Sequence, residues 1–153
     1  MANNEPMPMP ITGGCLCGAV RFEGEAFMRG AYYCHCTICQ KSSGEPFEIG
    51  VPIKAGTLRF TMGAPMYYQS SSFGKRGFCA VCGSRLLWAP TDTKEEWAIN
   101  VAVCALDNPA DVQPCCHIYT DTKLPWLNIP DGLPGFTEPE MPPVIERWKA
   151  ERS

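Results

Sequence analysis

Cys34-His35-Cys36-Thr37-Ile38-Cys39 places three cysteines within six residues. Thiolates this close together suit a soft divalent cation such as zinc. Two further hooks flank this one along the chain, Cys15-Leu16-Cys17-Gly18 and Cys79-Ala80-Val81-Cys82-Gly83. Each flanking hook offers two ligands, so the pair can close a tetrahedron together. The middle hook offers three and, read alone, leaves one coordination position unfilled. A closed thiolate site holds a fold, and an open one can do chemistry.

At 153 residues the chain suits one domain with its own core. Hydrophobic residues make up 45% and charged residues 19%, as in a compact globule, while 14 Gly and 15 Pro imply many turns and short strands. The formal net charge of -3, with no run of Lys and Arg, gives a phosphate-tracking surface no electrostatic support, so nucleic acid is not an expected partner. Met1 to Pro10 is polar and proline-rich, and no apolar stretch is long enough to cross a bilayer. The expectation is a soluble, cytoplasmic protein with no membrane partner. In a reducing compartment, ten cysteines turn towards metal or catalysis rather than disulfides. Cysteines one residue apart in an extended segment also point to opposite faces and do not readily bond to each other.

Outside the hooks the chain reads as a meander of short strands. Ala19 to Gly24 alternates behind the first hook, and Ala31-Tyr32-Tyr33 delivers Cys34. The polar segment from Gln40 to Glu45 can hold one helical turn. Phe47 to Val51, Thr57 to Met62 and Met66 to Ser70 follow as strands, separated by Pro- and Gly-containing turns. Lys75 to Phe78 enters the third hook and Arg85 to Trp88 leaves it, in the strand, knuckle, strand pattern of a zinc ribbon. Trp97 to Val103 reads as a buried strand and Cys116 to Tyr119 as a shorter one. Pro125 to Pro143 reads as loop wrapping the sheet, and Val144 to Arg152 as a short terminal helix. The fold expected is mainly β: a small, antiparallel, zinc-stabilised sheet structure with very little helix. Residues 1–12 read as a flexible tail, 13–136 as the zinc domain, and 137–153 as a C-terminal extension.

Spacing alone does not decide how the hooks group. Economy assigns Cys34, Cys36 and Cys39 to one metal and leaves Cys15, Cys17, Cys79 and Cys82 as a four-thiolate set. A rival grouping joins Cys34 and Cys36 to the third hook. In the first grouping the three-thiolate site carries less negative charge and is the better electrophile. A fourth protein ligand would close it, and His117, Cys104, Cys115 and Cys116 are free to reach. His35 is not, because it lies between two ligands and points the other way.

The order Cys-x-Cys-Gly, Cys-His-Cys-x-x-Cys and Phe78-Cys79-x-x-Cys82-Gly83-Ser84, then His117-Ile118, Pro125-Trp126 and Asp131-Gly132-Leu133-Pro134, resembles the glutathione-dependent formaldehyde-activating enzyme family, over about Gly13 to Phe136. The resemblance implies a β-tent zinc fold with two Zn2+ ions. Cys15, Cys17, Cys79 and Cys82 match its structural site, and Cys34, Cys36 and Cys39 its catalytic one. It also implies a carbon-sulfur lyase activity, the condensation of glutathione with formaldehyde to S-(hydroxymethyl)glutathione. The partners expected are therefore a small-molecule thiol, glutathione as co-substrate, and an aldehyde. A non-catalytic, zinc-stabilised binding module on the same fold is the alternative reading.

Glutathione carries two carboxylates and an amine, so cationic donors are sought near the metal. Lys41, just after the middle hook, and Arg76 and Arg85, flanking the third, are the candidates, each set against the plainer role of a solvated surface charge. Trp126 and Tyr119 are candidate pocket walls, and His117 a candidate for orienting a ligand or moving a proton. Cys104, Cys115 and Cys116 fall outside the seven-cysteine pattern, and buried packing is their default.

Overall fold

A computed structural model describes residues 6–153. The first five residues of the expected tail lie outside the described residues, and its last four belong to a strand. Met9–Gly14 (β1) alternates exposed and buried positions through Ile11 and Gly13 and pairs antiparallel with Arg21–Ala26 (β2). Gly13 is required there, because a Cβ would lie 2.3 Å from the carbonyl oxygen of Ala105.

The remaining strands are Tyr32–Cys34 (β3), Glu48–Pro52 (β4), Arg59–Met62 (β5), Met66–Gln69 (β6), Gly74–Phe78 (β7), Arg85–Pro90 (β8), Asn100–Ala102 (β9), Cys116–Ile118 (β10) and Gly135–Phe136 (β11). They form a three-stranded sheet, β1-β2-β5, and an eight-stranded sheet, β11-β10-β3-β4-β9-β8-β7-β6. The main core joins side chains from both sheets: Phe22 of β2 is buried in one cluster with Val51, Leu86 and Val101. Two α-helices, Thr37–Ser43 (α1) and Val144–Glu151 (α2), and a few single 3-10 turns complete the chain. None of the described helices is long and apolar enough to cross a membrane.

Several details differ from the sequence reading, beginning with β11, which lies inside the segment from Pro125 to Pro143 read as loop. The large sheet is mixed, because β10 runs parallel to both β3 and β11. Strands of two or three residues carry no signal of direction, and the long connection from β3 to β10 leaves either orientation open. The strand expected from Trp97 begins only at Asn100. Asp92 caps Thr93–Ala98 by accepting from the Lys94 N–H, so this polar stretch turns as a 3-10 helix and leaves Trp97 69% exposed. Finally, α1 starts inside the middle hook rather than after it. The Cys36 sulfur caps the helix by accepting from the Cys39 N–H at 3.3 Å, and Gly44, at φ 76°, ends it.

A smaller core surrounds the middle hook. Cys34, Cys36, Ile38 and Tyr119 are buried with Ile145 of α2, which is 2% exposed, so the C-terminal helix docks beside the cysteines. In β3 and β10, Cys116 is opposite Tyr32 and Ile118 opposite Cys34. Side chains alternate along a strand, so these four share one face and His117 and Tyr33 share the other.

Candidate metal centres

Four thiols meet where the two sheets are tied together. Cys15 and Cys17 lie in the turn between β1 and β2, and Cys79 and Cys82 in the knuckle between β7 and β8. All four sulfurs lie within 4.8 Å of one another. Gly18 (φ 82°) and Gly83 (φ 77°) supply the left-handed turns that fold each hook back on itself. Ser84 links the hooks, accepting from the Leu16 N–H at 3.0 Å and lying 3.0 Å from the Cys82 sulfur. The Ser84 hydroxyl, followed by backbone N–H groups, pulls the Cys82 thiol down to about 5. Four thiols converging with an ionised member form the donor set of a closed tetrahedral site.

Cys34, Cys36 and Cys39 form the second cluster, their sulfurs also within 4.8 Å of one another. Among the described residues no fourth His, Cys, Asp or Glu joins them. Cys34 ends β3, Cys36 caps α1 and Cys39 sits in its first turn, so a strand end and a helix start aim all three at one point. Hydrogen bonds from Cys34 and Cys39 pull the Cys36 thiol down to about 3, while those to Cys36 and Cys39, and then burial, push Cys34 well above its ordinary value. Three sulfurs at this separation, those of Cys34 and Cys36 buried and that of Cys39 half-buried, cannot all ionise without a counter-charge. A divalent cation supplies that charge, so the donor set fits zinc.

The nearest cation to this cluster is Arg76, whose Nη2 is 4.0 Å from the Cys39 sulfur. Arg76 is only 8% exposed, and its Nη1 meets Glu48 Oε2 at 3.4 Å. Arg85 Nη2 lies 2.6 Å from Glu48 Oε1, as an ion pair rather than an aligned hydrogen bond. Burial, then the negative charge at Cys39, pushes the Glu48 carboxyl up to about 7. Arg76 and Arg85 are thus members of a half-buried charge triad around Glu48 and not solvated charges. Lys41, by contrast, is exposed on α1.

His35 points away from the thiols, as its place between two ligands requires. It is fully buried, and its Nε2 meets His117 Nδ1 at 2.8 Å, while His117 Nε2 meets Asp131 Oδ2 at 2.9 Å. Tyr33 stacks on His117 with ring centroids 4.4 Å apart. Burial, then the charge of His117, pulls His35 down to about 4, keeping its ring neutral at physiological pH. The carbonyl of His35 accepts from Gln40 Nε2 at 3.0 Å and from Thr122 Oγ1 at 2.9 Å. His117 therefore braces the middle hook from behind and is not a ligand.

The three thiols of the middle hook open onto a cleft of about 690 Å³. Arg76, Glu48, Tyr119 and Cys116 line it, whereas Lys41, Arg85 and Trp126 do not. Tyr119 is fixed by donating its hydroxyl to the Pro142 carbonyl at 2.8 Å. Trp126 is 70% exposed elsewhere on the surface. Cys104 and Cys115 are exposed, against the expectation of buried packing, and all ten cysteines are free. Sequence reasoning missed Glu48 and the bracing role of Asp131. Glu48 carried no signal beyond its place in a strand, and Asp131 only its place in the Asp-Gly-Leu-Pro run.

The chain matches the family model described as glutathione-dependent formaldehyde-activating enzyme over residues 10–122. It is 31% identical over 135 residues to a protein of Halomonas elongata described as a putative glutathione-dependent formaldehyde-activating enzyme, covering 79% of this chain and 82% of that one. It is also 31% identical over 88 residues to an uncharacterized lyase of Schizosaccharomyces pombe, covering 58% of this chain and 64% of the relative's length. Among solved structures, a Rhodobacter sphaeroides protein aligns with TM-score 0.50 at 22% identity, over 83% of this chain and all of that one, a likeness of fold. By the span of the family match, and by the seven cysteines that converge in two clusters, the chain belongs to the glutathione-dependent formaldehyde-activating enzyme family.

Proposed function

We infer that the protein is a zinc-dependent enzyme of the carbon-sulfur lyase type, joining a thiol to formaldehyde or another small aldehyde. One observation carries this reading: a three-thiol cluster without a fourth protein ligand among the described residues opens onto a cleft, while the four-thiol cluster does not line that cleft. The names of the family and of the Halomonas elongata relative support glutathione or a similar thiol, with an aldehyde, as the reactants. Cys15, Cys17, Cys79 and Cys82 hold the structural ion, and Cys34, Cys36 and Cys39 the reactive one.

A zinc ion held by Cys34, Cys36 and Cys39 would supply Lewis acidity that lowers the pKa of an incoming thiol. The chain's own residues do the rest. Arg76, close to the Cys39 sulfur, favours the anionic form of that ligand. The His35, His117 and Asp131 brace fixes the hook's backbone, so the three sulfurs keep their aim when substrate enters. In the reaction a carbon-sulfur bond forms as the carbonyl π pair moves to oxygen, and the proton lost by the thiol ends on that oxygen.

Exchange spectroscopy by NMR tests this directly, because thiol and hydroxymethyl adduct interconvert at equilibrium. Zinc-loaded protein is expected to speed the interconversion of glutathione, or a simpler thiol, with its formaldehyde adduct at least ~100-fold over buffer. Chelator-stripped protein is expected to lose the effect. A zinc-loaded protein that leaves the exchange rate of every thiol at the buffer value would contradict the assignment.

A further inference from the structure

The walls of the cleft bear on the body of the thiol, not only on its sulfur. Tyr32, Phe73, Trp88, Trp97, Tyr119 and Phe136 give them six aromatic side chains. Arg76 is the single Lys or Arg in the lining, and Glu48 already engages it. Arg85, outside the cleft, is likewise paired with Glu48. Glu140, at the rim, adds a further negative charge. Glutathione would bring two carboxylates into a site with no unengaged cation to receive them, at a desolvation cost the walls cannot return.

Two further features point the same way. Trp97 lines the cleft yet is 69% exposed, an aromatic face left in water at the entrance to a binding site. Phe136, Met141 and Val144 build part of the wall from residues beyond the span matched to the family model. That part of the wall is therefore set by the C-terminal segment of this chain. The volume suits a ligand of drug size rather than a two-carbon thiol.

Resting on the open-site reading above, we propose that the thiol taken at the middle hook is one with an uncharged aromatic or bulky apolar body, and that glutathione is a poor occupant. The aromatic walls hold the body, Trp97 covers it at the entrance, and the sulfur reaches the hook.

Cobalt in place of zinc reports the test, because the visible absorption of a thiolate-bound cobalt ion shifts when its fourth ligand changes. The full chain loaded with cobalt is titrated with phenylmethanethiol and with glutathione. Phenylmethanethiol is expected to shift the spectrum at a concentration at least ~10-fold lower than glutathione does. Trp97→Ala, at an exposed position in a 3-10 turn, is expected to weaken phenylmethanethiol ~3- to 10-fold and to leave glutathione unchanged. Trp97→Lys is expected to narrow the gap from both sides. Glutathione binding as tightly as phenylmethanethiol, or a Trp97→Ala protein that binds both as before, would overturn the substrate class while leaving the open site intact. A spectrum that neither thiol shifts would overturn the open-site reading and this proposal with it.

Discussion

Replacing Cys36 with Ser is expected to remove about one equivalent of zinc and to cut turnover at least ~1000-fold, since a metal's stabilisation of developing charge is worth several kcal/mol. The fold is expected to survive. Cys36 caps α1 through its side chain, and serine is among the best capping residues, so the hydroxyl can accept the same Cys39 N–H. The melting temperature is expected to move by no more than ~5 °C, equivalent to about 1–2 kcal/mol in a domain of this size. Metal analysis, the exchange assay and a thermal melt read the three effects separately. Collapse of the fold on this substitution would assign the middle hook a structural role.

Cys82→Ser is expected to do the opposite, lowering stability first. The cluster that holds Cys82 ties the turn between β1 and β2 to the knuckle between β7 and β8, and with them the two sheets. Structural zinc in small domains contributes about 10–16 kcal/mol of apparent binding energy at neutral pH. Net domain stability is about 5–15 kcal/mol, so losing this site removes most or all of it. The variant is expected to be unfolded, or to melt at least ~15 °C below the parent protein. A melting curve that overlays the parent's would contradict a closed, fold-holding site.

The contrast between these variants follows from features of unequal legibility. Both clusters were readable from sequence because their ligands are local: two or three thiols within a hook, of a residue type with few other uses at that spacing. The division into three and four rested on economy, and the sulfur positions agree with it. Strand positions followed from alternation and turn residues, and β7 and β8 around the third hook lie where expected. What stayed hidden depends on contacts between distant segments. Arg76 and Arg85 read as candidate substrate cations, set against surface charges, and their ion pairing stayed hidden because Glu48 is 28 residues from the nearer of them. His117 read as a candidate ligand because its partners reach it only through tertiary pairing, His35 through β3 and β10 and Asp131 through the segment that enters β11 beside β10. Trp97 read as core because its hydrophobic run continues into β9, whereas the cap at Asp92 turns the chain first. The cleft was invisible for the same reason, since its walls come from β3, β8, the 3-10 turn at Trp97 and the C-terminal segment.

Two sulfur-bound metals with different duties, one saturated between the sheets and one open to the cleft, form the centre of this account. Anomalous diffraction at the zinc edge, from crystals of zinc-loaded protein, tests it most directly. The predicted result is two peaks, one surrounded by Cys15, Cys17, Cys79 and Cys82, the other by Cys34, Cys36 and Cys39 with a fourth, non-protein ligand on the cleft side. A single peak, or a protein side chain in the fourth position of the second site, would contradict it.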